Sequence, residues 1–306
     1  MMPSNAFAIG SRPACAARHG RVGSVRTTAW LAVVAAAVLF PSCGDSLGHR
    51  SVAEMSGSLP IGESIRRIRV EIQNGTVGMD MHADRAVGFG GGVRRAADSA
   101  ADLAILEQIP VQMVAAPDPA DATTLVVRGP ALSATMPRGI VGLELGLHVP
   151  ADLPVEIRVE QSGHVTVVRR TAPLEVHTGR GDLRFERCEG AIKARTGRGN
   201  VIAFDHRGDI DIRAAVGDMQ VFVREPGSRI RLDTGQGTIQ CYVPPTTGCR
   251  VDARAQIGRC GTSFGFPTET VQKYGAAMVG ARGDGRTEIV LRTGSGHLSL
   301  GARAFE

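Results

Sequence analysis

The chain has 306 residues, of which 43% are hydrophobic, only 4% are aromatic and 39 are glycine. That is enough apolar material for a core of valine, isoleucine, leucine and alanine, and the glycine content favours short strands joined by tight turns. The net charge is +5, but Arg12, Arg18, Arg21 and Arg26 supply four of these charges and the rest of the chain carries only +1, which excludes an electrostatic case for a nucleic-acid partner.

The first predicted element is an address. Residues 1–28 are polar and basic, residues 29–40 (AWLAVVAAAVLF) are apolar, and Pro41, Ser42 and Cys43 follow. Twelve apolar residues are too few for a membrane-spanning helix. The order is that of a secretory signal peptide. A cysteine directly after a short apolar run and a small residue resembles the lipobox of bacterial lipoproteins, although Phe40 and Pro41 depart from the usual pattern. That resemblance implies acylation of Cys43 as the first residue of an exported chain; the alternative is an ordinary signal peptide cut near Ser42. The expected division is a lipoprotein-type signal peptide at 1–42, a Gly- and Ser-bearing flexible tether at 43–62, and a single domain at 63–304.

Residues 68–81 (IRVEIQNGTVGMDM) alternate like a strand. The glycine-rich GFGGGVRR at 88–95 reads as a flexible link, since it lacks the spaced glycine and acidic partner of a phosphate cradle. Residues 93–109 carry Ala, Leu and Glu at helical spacing and predict a short helix that caps the end of the domain. Strands at 110–116 and 123–129 follow, with Pro117, Asp118 and Pro119 at the turn.

The middle of the chain is a repeat. Gly181, Gly190, Gly199, Gly208 and Gly217 stand nine apart, and Gly163 lies eighteen before Gly181. After each glycine the second position is Leu183, Ile192, Val201, Ile210 or Met219, and the fourth is Phe185, Ala194, Ala203, Ile212 or Val221. Residues two apart share one face of a strand, so each nine-residue unit is a strand and a corner. Two units form a coil of about eighteen residues whose strands pair with those of the next coil. The expected fold is therefore all-β, a parallel β-solenoid with one short helix near its N-terminal end. The glycines are the corners. The pattern returns less regularly at TGQGTIQCYV and LRTGSGHLSL, while residues 262–287 read as a loop or an irregular coil.

Few residues suggest chemistry. Calcium-binding nonapeptide rolls place Asp two residues after the glycine, where this chain has Leu183, Val201 and Met219, so no metal is expected. Cys188, Cys241, Cys249 and Cys260 are candidates for a disulfide in an oxidising compartment, with the pairing open; they lack zinc spacing. His82, His148, His164, His177, His206 and His297 are scattered and read as surface residues. Three Arg-Gly-Asp triplets, at 180–182, 207–209 and 282–284, read as turns. Asp182, Asp209, Asp211 and Asp218 could gather as the carboxylates of a glycan-cleaving site, but Asp182 and Asp218 look like corner residues. Ile202 falls on the outward column, and Phe204 and Phe222 form either a contact patch or corner core.

The order of strand, Ala-rich helix, "IPVQMV…TTLVVRG", "LELGLHVPADLPVEIRVEQSGHVTV", "LEVHTGRGDL…GAIKARTGRGNV…GDIDI" and "LRTGSGHLSL" resembles the bacterial DUF4097 family of β-strand-repeat, adhesin-like proteins, over residues 65–300. That resemblance implies a β-solenoid in the cell envelope and carries over no catalytic residue. The expectation is a non-enzymatic, membrane-anchored envelope protein on the periplasmic or extracellular side, with a protein or glycan partner and no cofactor. The alternatives are a polysaccharide-active β-helix enzyme and a regulatory envelope lipoprotein.

Overall fold

Period-two alternation extends well beyond the regular repeat. The computed structural model describes residues 48–109, 111–129, 139–271 and 274–305. These form β1 (His49–Pro60), β2 (Arg67–His82), β3 (Ala86–Ala97), α1 (Ala100–Glu107), β4 (Val114–Pro117), β5 (Thr124–Arg128), β6 (Gly139–Pro150), β7 (Val155–Ser162), β8 (Val165–Val168), β9 (Leu174–Arg180) and β10 (Leu183–Glu186). Then come β11 (Ile192–Arg198), β12 (Val201–Val216), β13 (Met219–Gln236), β14 (Ile239–Val243), β15 (Cys249–Ile257), β16 (Cys260–Thr262), β17 (Thr268–Val271), β18 (Gly275–Arg282), β19 (Thr287–Ser295) and β20 (Leu298–Ala302). The chain is nearly all strand, with one short helix, and its sheet has mixed strand orientation.

Two columns of parallel pairs carry the repeat. In the first, β2, β8, β10, β12, β13, β14, β20 and β16 pair in that order. In the second, the order is β2, β7, β9, β11, β12, β13, β19 and β15. The eighteen-residue register is met where the glycines predicted it: Val165, Leu183, Val201 and Met219 stand opposite one another. The next step, Met219 to Ile239, takes twenty residues. The additional residues are absorbed around Gly227 and Ser228, where the Asp209 carboxylate accepts from the Ser228 hydroxyl and from Arg229 N–H at 3.0 Å. Inward columns such as Leu174, Ile192, Ile210, Ile230 and Ile289 are at most 2% exposed and make the core continuous.

The corners follow from backbone approach. Gly181, Gly199, Gly217, Gly237, Gly296 and Gly258 all have φ between +137° and +153°. A Cβ on Gly199 would fall far inside contact with the carbonyl of Gly181, and one on Gly163 would meet Gly75 in the same way. Gly190 and Gly208 turn the opposite corner at φ +88° and +115°. Two side-chain ladders complete the first corner. The buried hydroxyls of Thr178, Thr196, Thr234 and Thr293 donate to the carbonyls of Gly163, Gly181, Gly217 and Gly237. Asp182, Asn200 and Asp218 each accept the backbone N–H of the residue one coil on, at 2.7–3.0 Å.

The expectation of one parallel solenoid is met only in part. At the N-terminal end β6 pairs antiparallel with β3, β3 with β1, and β4 with β5. At the other end β18 pairs antiparallel with β15 and β17 with β18. Stacking also departs from chain order: β19 and β20 lie between β13–β14 and β15–β16.

Several boundaries are corrected. The segment read as a tether contains β1, because Ala53, Met55, Gly57 and Leu59 alternate inward against β3. GFGGGVRR is not a link but part of β3, whose Gly91 allows an approach to Glu144 that a side chain would block. The helix spans Ala100–Glu107 rather than 93–109, since Val93, Arg95 and Ala97 turn inward as strand residues. Ser99 caps it by accepting from Asp102 N–H at 3.1 Å, and Leu106 is its one fully buried residue. It packs on β1, β3 and β6, the end it was expected to cover. Residues 262–287 hold β17 and β18.

Candidate functional site: a charged outer face

The outward positions of the second column are charged from strand to strand. One row runs Glu156, Glu175, Lys193, Asp211, Arg231, and the next runs Arg158, His177, Arg195, Arg213, Asp233, each residue opposite its neighbour. Adjacent strands lie about 4.8 Å apart, so these side chains interact directly. Glu156 is 4% exposed and is held by Arg69 Nε at 2.9 Å and Arg158 Nη2 at 2.5 Å. Burial pushes its carboxyl pKa up, but the hydrogen bonds and charges of Arg69 and Arg158 outweigh burial and the net shift is downward. Glu175 takes Lys193 at 2.7 Å and His177 at 3.0 Å, and its pKa is lowered in the same way against burial.

Some cations at this face have no carboxylate among the described residues. Arg180, Arg195 and Arg198 are exposed and make no ion pair, whereas Arg213 pairs with Asp211 at 3.1 Å. Arg195 stands between His177 and Arg213 in register. Beside it is an open groove of about 450 Å³, lined by Arg158, Val159 and Glu160 from β7, His177 to Gly179 from β9, and Arg195 to Gly197 from β11. Gly179 and Gly197 make the groove. A Cβ on Gly179 would lie 2.7 Å from the carbonyl oxygen of Glu160, and one on Gly197 would press on Gly179, so no side chain fills these positions.

Glu156, Glu175 and His177 offer ligand atoms within 4.8 Å of one another. A cation there would have to displace Arg69, Arg158 and Lys193, which already neutralise both carboxylates. The four aspartates Asp182, Asp209, Asp211 and Asp218 do not gather. Asp182 and Asp218 cap backbone at the first corner, Asp209 caps the second, and Asp211 is paired with Arg213. The first two Arg-Gly-Asp triplets therefore spend their aspartates on corners.

Cys43 lies outside the described residues. Cys188, Cys241 and Cys249 are buried free thiols and Cys260 is a partly buried one. Burial raises the Cys188 pKa to about 11 and that of Cys241 to about 12, so both are protonated near neutrality. Cys188 shares the second corner with Arg170 and His206, each 1% exposed. Arg170 donates to the Pro150 carbonyl at 2.5 Å, and burial lowers its pKa to about 10. His206 is a correction to the reading of surface histidines: its ring nitrogens have no partner in hydrogen-bond geometry, and burial lowers its pKa to about 4. Phe222 is 8% exposed and stacks on Tyr242 at 4.8 Å, while Phe204 meets it edge-on at 5.5 Å and is 42% exposed. The pair is thus half core and half surface. Arg303 lies over the Phe222 ring at 4.6 Å, so the C-terminal segment covers this patch.

No protein-family model matches the chain, and no curated protein matches it. Two solved structures are similar at low level. A "putative cell adhesion protein" from Clostridium sporogenes aligns with TM-score 0.37 and 11% identity, over 83% of this chain and 100% of the other. A "putative adhesin" from Bacteroides fragilis aligns with TM-score 0.32 and 9% identity, over 82% and 97%. Similarity at this level does not establish a common fold. Among the described residues no helix is long and apolar enough to cross a membrane.

Proposed function

We propose that the chain is a non-enzymatic, lipid-anchored protein of the bacterial cell envelope, an adhesin-like scaffold built as a short β-solenoid that presents its outer faces to a partner. The observation that carries this reading is the in-register charged face of the second column, where the same outward positions repeat on strand after strand. Such a surface suits a partner that is itself extended and repetitive. The signal-like residues 1–42 and Cys43 support export and anchoring.

The test is processing and fractionation in a bacterial host. The wild-type chain is expected in the membrane fraction at the mass of an acylated chain beginning at Cys43, and to accumulate unprocessed under an inhibitor of lipoprotein signal peptidase. Cys43→Ser is expected to lose both the lipid mass and the membrane association. Equal mass and fractionation for the two would refute the anchor.

A further inference from the structure

Unpaired cations on a structured strand face are unusual where carboxylates are so near. Arg195 is the clearest case. Its cross-strand neighbours are His177 and Arg213, and Lys193, two residues earlier on the same face, is taken by Glu175. Like charges directly opposite one another destabilise a sheet. In this row Arg158, His177 and Arg213 each have a carboxylate beside them, and Arg195 has none among the described residues. Arg180 and Arg198 stand opposite each other at the ends of β9 and β11, each next in sequence to a lining glycine, Gly179 or Gly197, and add two more unpaired charges.

We propose that the groove over β7, β9 and β11 binds an acidic polysaccharide, with Arg195 as the principal contact to its carboxylate or sulfate groups. The inference rests on the scaffold reading for its cellular setting and names the ligand class of that face. Three features select the class. Unpaired Arg180 and Arg198 face each other on adjacent strands about 4.8 Å apart, which suits a linear polymer with regularly spaced anions. A guanidinium meets a carboxylate or sulfate through two parallel N–H donors. The lining has no Phe, Tyr or Trp ring on which a nucleic-acid base could stack, and its one imidazole, His177, is held by Glu175. It also has no open apolar pocket for a peptide anchor, since Val159, its one aliphatic residue, is 2% exposed. Glu160 is the one unpaired carboxylate at the edge, and it disfavours polymers of highest charge density.

The test is isothermal titration of the full chain in detergent with polygalacturonate, dextran sulfate and neutral dextran, at low and moderate salt. Binding of one or both acidic polymers is expected, with none to dextran and an affinity that falls as salt rises. The carboxylate and sulfate arms identify the preferred group. Arg195→Glu is expected to weaken binding at least tenfold, while Arg254→Glu, at the far end of the same face, leaves it within twofold. Because Arg195 is exposed and makes no ion pair among the described residues, the unfolding midpoint of Arg195→Glu should stay close to that of the wild type, which separates lost binding from lost structure. Equal binding by Arg195→Glu and wild type, equal binding of neutral dextran, or no binding to any polymer would overturn the inference. So would a single-stranded oligonucleotide that competes as well as the acidic polymer. None of these outcomes touches the anchor, which the Cys43→Ser comparison decides separately.

Discussion

At Gly199 the backbone has φ +153° and the carbonyl of Gly181 occupies the space a Cβ would need. Alanine there meets both a conformational penalty and a backbone clash, so Gly199→Ala should cost at least about 2 kcal/mol. Gly90 has nothing within 4 Å of its hypothetical Cβ, and Gly90→Ala should stay within about 0.5 kcal/mol of wild type. Denaturant unfolding of the two variants checks the contrast, and similar losses would show that the corner is not tightly packed. His206 gives a second residue-scale test. Its unfolded ring takes a proton near pH 6.5 and its folded ring only near 4. Between those values the unfolded state binds more protons, so stability declines as pH falls through that window, by on the order of 3 kcal/mol in full. Replacing it in His206→Leu should flatten the unfolding midpoint between pH 6.5 and 4.5, and an unchanged slope would mean that the ring is not the titrating group.

The strands repeat a lesson at the next scale. The register from Gly163 to Gly217 was legible because each unit repeats the same glycine and the same two apolar positions. The twenty-residue step was visible as a spacing but not as a corner, because its signal is the pairing of Asp209 with Ser228 across nineteen residues. β1 and β3 were missed for a physical reason. Their small residues, Ala53, Gly57, Gly90, Gly91 and Gly92, carry weak hydrophobic contrast and read as linker, yet the missing side chains of Gly91 and Gly92 are what let β3 approach β6 and β1. The groove was equally illegible. Arg195 differs from its charged neighbours only in lacking a partner, and that depends on strands whose facing residues, His177 and Arg213, lie eighteen residues away. The insertion of β19 and β20 between earlier strands has a sharp consequence. Truncation after residue 286 removes the strands that join β13–β14 to β15–β16. It should abolish cooperative thermal unfolding, whereas truncation after Ala302 removes the Arg303 contacts with Phe222 and Phe204, its N–H bond to the Val243 carbonyl and the Phe305 contact with Arg224, and should cost about 1–2 kcal/mol while the transition stays sharp. A sharp transition in the longer deletion would contradict the stacking order.

Across the whole molecule, the parallel columns hold outward positions in register from strand to strand, and at both ends antiparallel strands blunt the parallel edges. Outside residues 1–42 the chain is nearly neutral, so the unpaired arginines of β9 and β11 form a local feature rather than part of a general basic surface. The account is tested most directly by cross-linking in intact cells with a photoreactive residue in the groove, Arg195→benzoylphenylalanine, against the same replacement at Arg286, which is 86% exposed in the loop between β18 and β19. The expected result is an envelope-fraction adduct from position 195 that a polysaccharide-degrading treatment removes, with none from position 286. Equal adducts at both positions, or none at either, would contradict the claim that this face is the one presented to a partner.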